Sequence, residues 1–85
     1  MRRRDGWAVA MRSRTLREAH ETLLRLRPAP HARPSEWHAY HRQTAEVYAQ
    51  VAEVDTDHRH EALYWVSHVR QKLADVESRL PRQRR

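Results

Sequence analysis

The sequence predicts an all-α fold, a bundle of three helices built on an antiparallel helix hairpin. Three observations predict it: a composition almost free of glycine, chain breaks at prolines and at an Asp-rich turn, and apolar residues recurring every three or four positions. Of the 85 residues 39% are hydrophobic, one is glycine and none is phenylalanine. A β-protein of this length would need more turn glycines and longer β-branched runs. The length allows one domain.

The first helix is predicted over residues 15–27. Thr15-Leu16-Arg17-Glu18 has the T-x-x-E spacing of a capping box, in which a hydroxyl and a carboxylate satisfy free amides of the first turn. Leu16, Ala19, Leu23 and Leu26 then form one stripe, and Pro28-Ala29-Pro30 stops the helix.

Pro34-Ser35-Glu36 opens the second helix, predicted over 36–54, with Ser35 as its cap and Glu36 at the positive end of its dipole. Trp37, Tyr40, Thr44, Val47, Tyr48, Val51 and Val54 fall on one face, and Arg42, Glu46, Gln50 and Glu53 on the other. After the turn Asp55-Thr56-Asp57, with Asp57 as cap, a third helix over 58–79 aligns His58, Ala62, Trp65, Val69, Leu73, Val76 and Leu80, and Pro81 ends it. So short a turn forces the second and third helices into an antiparallel hairpin, with Tyr48 near Trp65 and Trp37 near Val76. The first helix is expected to lie across that hairpin. The domain then spans 15–80, between basic ends at 1–14 and 81–85 read as disordered tails.

The formal charge of +6 is unevenly spread. Residues 1–14 carry net +4 and residues 79–85 another +4, whereas residues 15–78 are net −2. No internal helix gathers the basic residues that a DNA-reading helix needs. A nucleic-acid role would therefore fall to Arg2, Arg3, Arg4, Arg12, Arg14, Arg82, Arg84 and Arg85, holding phosphates without reading sequence. The absence of cysteine excludes disulfides and thiol chemistry and suits a reducing cytoplasm. The apolar stretch Trp7–Met11 is shorter than an export signal needs, and no window approaches the roughly 20 apolar residues of a membrane span.

Seven histidines, at 20, 31, 38, 41, 58, 60 and 68, raise the question of metal. His60-Glu61-Ala62-Leu63-Tyr64 begins like the H-E-x-x-H zinc motif, but Tyr64 stands where the second His is required. None of the seven glutamates is followed three residues later by His, so the di-iron bundle motif is missing too. The cluster that remains is His38 and His41, one turn apart, with His31 from the preceding loop as a third ligand. Against catalysis, Ser67 and His68 are neighbours on a helix and point about 100° apart, and a single glycine cannot build a phosphate loop. No enzyme activity, cofactor or small-molecule substrate is expected.

A small core favours association as a way to bury more apolar surface. Leu63 and Tyr64 fall off the main stripe of the third helix and Leu24 lies at the edge of the first. These three are the expected contact with a second copy, as a homodimer, or with another protein.

The segments Thr15-Leu16-Arg17-Glu18-Ala19-His20-Glu21, Tyr40-His41-Arg42 with Ala45-Glu46-Val47-Tyr48, and His58-Arg59-His60-Glu61-Ala62-Leu63-Tyr64-Trp65 resemble a family of short proteins of actinomycete bacteria with no assigned activity. The resemblance covers roughly residues 15–70; it implies a bacterial cytoplasmic protein and carries over no catalytic residue. In shape the hairpin is similar to one tetratricopeptide unit, with Ala62 at the close helix contact, which implies protein binding. The W-x-x-L-G signature of that repeat is missing, since His38-Ala39-Tyr40 follows Trp37.

Overall fold

The computed structural model describes residues 3–79, with side chains from residue 6 onward. The elements in order are α1 (Arg3–Met11), α2 (Leu16–Leu26), α3 (Pro34–Val54), a 3-10 turn (Thr56–His58) and α4 (Arg59–Arg79). Among the described residues there is no strand.

α3 and α4 form the antiparallel hairpin, with Tyr48 stacked on Trp65 at 6.0 Å between ring centroids. A hydrogen bond of 3.1 Å between His38 and Glu77 fixes the same register nearer the open end. The core is a continuous set of small and medium side chains. Val47, Val51 and Ala62 are fully buried between α3 and α4, and Leu16, Ala19, Leu23 and Leu26 bring the apolar face of α2 onto them. Ala62 at zero exposure lets the two hairpin helices approach closely.

The helix starts differ from expectation in three places. Thr15 caps α2 as predicted, its Oγ1 accepting from the Glu18 amide at 3.1 Å, but Glu18 reaches back to the amide of Arg14 at 2.9 Å, one residue before the usual capping-box partner. α3 begins at Pro34 with Arg33 as N-cap and no side-chain cap bond, so Ser35 is not its cap. Proline at the first helical position has no amide to satisfy and a φ already suited to helix, which moves the start two residues ahead of the predicted one. Before α4, Asp55 rather than Asp57 opens the turn: the His58 amide donates to the Asp55 carbonyl at 3.0 Å and the 3-10 turn runs directly into the helix. Val54 and His58, expected on apolar stripes, are both exposed beside this turn.

The larger difference is at the N-terminus. Residues expected to be tail form α1, whose Ala10 is 1% exposed and whose Trp7 packs against the core. Gly6 packs directly on α2, where a Cβ would lie 2.5 Å from Leu26 Cδ2 and the Leu26 side chain would have to shift. Ser13, also buried, closes the helix with its amide bonded to the Ala10 carbonyl at 3.1 Å. Charge alone does not reveal this, because Gly6, Trp7 and Ala10 share one inward face at helical spacing while Arg12 and Arg14 stay exposed. Arg2, Leu80, Arg82, Arg84 and Arg85 lie outside the described residues, as do the side chains of Arg3 and Arg4.

Candidate functional site: an aromatic groove

α2 contacts α3 along its length, from Leu16 at Asp55 to Arg27 at Trp37, and a groove of about 460 Å³ lies between α2, α3 and α4. α3 contributes Trp37, Tyr40, His41, Thr44 and Tyr48. Facing them on α4 are Trp65, His68, Val69, Lys72, Asp75, Val76 and Arg79, and Leu24 and Arg27 close the α2 side. The sequence places these residues together because each helix devotes its core face to 3-4 spacing, and the residues one step round from that face, about 100° per residue, line the seam.

The inner end of the groove is held rigidly. The Tyr48 hydroxyl is hydrogen-bonded to His20 Nδ1 at 2.7 Å, and burial pushes the phenol pKa up to about 12. His20 also meets Trp65 edge to face at 5.3 Å, and the Tyr40 hydroxyl donates to the Leu23 carbonyl at 3.0 Å. These contacts tie α2, α3 and α4 together through rings whose orientation is set by a hydrogen bond at one edge. Two polar atoms of the lining have no such partner: Thr44 Oγ1 and Trp65 Nε1 are buried without a hydrogen bond.

The outer end is cationic. Arg27 lies over the Trp37 ring at 5.8 Å, and His41 packs at 5.5 Å from the same ring. Burial lowers the pKa of His41 first, and the charges of Lys72, Arg27 and His38 lower it further, so the imidazole sits neutral in a positive field. Arg27, Lys72 and Arg79 make no ion pair among the described residues, and one carboxylate, Asp75, shares the lining with them.

The expected contact residues divide. Leu24, 68% exposed, lines the groove; Tyr64, 59% exposed, is outside the lining but flanks it by stacking on the groove residue His68 at 5.9 Å. Leu63, 49% exposed, is one position from Tyr64, hence about 100° round α4, and does not line the groove. The expected metal ligands are not brought together. His31 is exposed, His38 bonds Glu77, and His41 packs against Trp37 and Tyr40. Among the described residues no three His, Asp or Glu side chains form a group that would hold a metal ion. Of the arginines proposed for nucleic acid, Arg12 and Arg14 are exposed at the end of α1 and the others fall outside the described side chains.

The sequence reading named His41, Leu24 and Tyr64 but missed the groove itself, because Arg27, Lys72 and Arg79 are far apart in the chain and look like ordinary solvated charges. The available signal was that Lys72, the single lysine among seventeen basic residues, sits between the two half-stripes Trp65-Val69 and Val76. Among the described residues no helix is long and apolar enough to cross a membrane. No family model, curated protein or solved structure matches the chain, and the groove itself is the ground for a functional reading.

Proposed function

We propose that the chain is a noncatalytic protein-interaction module that docks a second copy of itself or another protein through the face carrying Leu24, the aromatic groove and the flanking Tyr64. The observation that carries this reading is the continuity of apolar surface: exposed Leu24 lines a groove walled by Trp37, Tyr40 and Trp65, and exposed Tyr64 extends it through ring contacts with Trp65 and His68. Half-buried aromatic side chains grouped in one concave patch are the residue types that anchor interface centres. The noncatalytic part rests on the groove's one hydroxyl other than phenols, Thr44, which has no base bonded to it. A bacterial cytoplasmic setting belongs to the same proposal, supported by the cysteine-free sequence and by the resemblance of residues 15–70 to short actinomycete proteins.

Photo-crosslinking in the cells that make the protein tests it. A benzophenone side chain at position 24 or 64 is expected to give a discrete protein adduct, either chain to chain or to one other protein, and the same group at Arg70 on the far side of α4 none. Equal adducts at all three positions, or none at 24 and 64, would remove the reading.

A further inference from the structure

We propose that the groove takes an extended acidic segment of a partner protein, with an apolar side chain at the Tyr48–Trp65 end and carboxylates at the Arg27, Lys72 and Arg79 end. This rests on the interaction reading above and adds the chemistry of the occupant.

Three features of the groove carry it. First, the two ends differ. From Trp37 to Tyr48 it follows α3 for eleven residues, roughly 16 Å at the helical rise, which an extended chain spans in about five residues. Tyr48 and Trp65 wall one end, and at the other, beside Trp37, three cations free of ion pairs among the described residues stand against Asp75. Charge complementarity of this kind selects carboxylates and disfavours a basic partner. Second, the inner end is lined by Thr44, Tyr48, Trp65, His68 and Val69, with no Asp, Glu, Lys or Arg among them, which suits an apolar side chain there. Third, the exposed Leu24 and Tyr64 continue the apolar surface past the groove's edge, an area that a compact ligand would leave in water. Single-stranded nucleic acid fits less well, because stacking needs open ring faces: Tyr48 is buried, and Trp37 is already covered by Arg27 and His41.

The test is a titration of the full ¹⁵N-labelled chain followed through amide and indole resonances. Three tryptophans give three indole signals, two from groove residues and one, Trp7, from α1. The probes are a nine-residue peptide with one Phe followed by three Glu, the same peptide with Gln for Glu, the same with Lys for Glu, phenylacetate, and a dT₉ oligonucleotide. The Glu peptide is expected to move the Trp65 and Trp37 indoles and spare Trp7, binding about tenfold tighter than the Gln peptide, as three solvent-exposed charge pairs would give. Lys72→Glu with Arg79→Glu, both at exposed positions, is expected to abolish that preference and turn it toward the Lys peptide. Equal binding of Glu and Gln peptides, tighter binding of dT₉, or binding of phenylacetate with no peptide binding overturns the proposal. A concentration-dependent shift of the same signals in the chain alone, with no peptide preference, overturns the acidic occupant while the interaction reading stands on self-association.

Discussion

Asp55 Oδ2 accepts a hydrogen bond of 3.0 Å from the backbone amide of Leu16, thirty-nine residues away, so the turn between α3 and α4 caps the first turn of α2. The same carboxylate meets His58 Nδ1 at 3.0 Å. One acidic side chain thus fixes the hairpin turn and the placement of the helix that crosses the hairpin. Leu16 is one of the first four residues of α2, whose amides find no acceptor within the helix.

This pair gives the fold a pH window. The Asp55 carboxyl is held below its ordinary 3.8 by the hydrogen bond with His58 and then by the Leu16 amide, and Asp55 in turn holds the His58 imidazole above its ordinary 6.5. The Asp55 contribution is full above 3.8 and is lost as pH falls through its lowered native value; that of His58 is full below 6.5 and is lost as pH rises through its raised one. The thermal midpoint is expected to be highest between these ordinary values and to decline on both sides, by a small amount because the ion pair is exposed. In Asp55→Asn, which keeps an oxygen for the Leu16 amide, the midpoint is expected to lose this contribution to its pH dependence while α2 stays in place. A wild-type curve that coincides with that of the Asn variant from pH 3 to 8 would count against the pair.

Tyr48 is expected to ionise at about 12, visible as a late phase in an ultraviolet titration of the phenols. A phenol whose native pKa is raised stabilises the fold below its ordinary 10.0, and that stability is lost as pH rises from there to about 12. Tyr48→Phe removes the hydroxyl bonded to His20 Nδ1 and is expected to cost about 1–2 kcal/mol in urea unfolding at neutral pH, and to abolish the late phase. An unchanged midpoint would show that His20 and Trp65 orient the cluster without the hydroxyl.

Residues 3–11 are expected to behave as part of the fold. Ala10→Glu puts a carboxylate at a position 1% exposed and is expected to cost at least about 2 kcal/mol, read as a lower urea midpoint by circular dichroism. Were this segment a solvated tail, the substitution would leave the midpoint alone.

The hairpin was legible in the sequence because its signals are local. Val47, Tyr48 and Val51, with Ala62, Trp65 and Val69 after the turn, keep helical spacing, and so short a turn leaves no other packing. The cap at Thr15 and the stripe Leu16, Ala19, Leu23 and Leu26 are equally local. α1 was hidden because its helix is short, its flanks are arginine-rich, and Gly6, a poor helix former, packs on Leu26 far along the chain.

What the sequence determined by itself is therefore the helical class, the stop after Leu26, and which face of each long helix is buried, since periodicity and proline act through neighbouring residues. What the tertiary structure decided is how those faces meet. The packing of α2 across the hairpin brings Arg27, Lys72 and Arg79 to one seam, lets Asp55 cap Leu16, and separates Leu63 from Leu24 and Tyr64. Such pairings depend on the crossing of whole helices, where a rotation of about 100° per residue sends adjacent side chains to different surfaces.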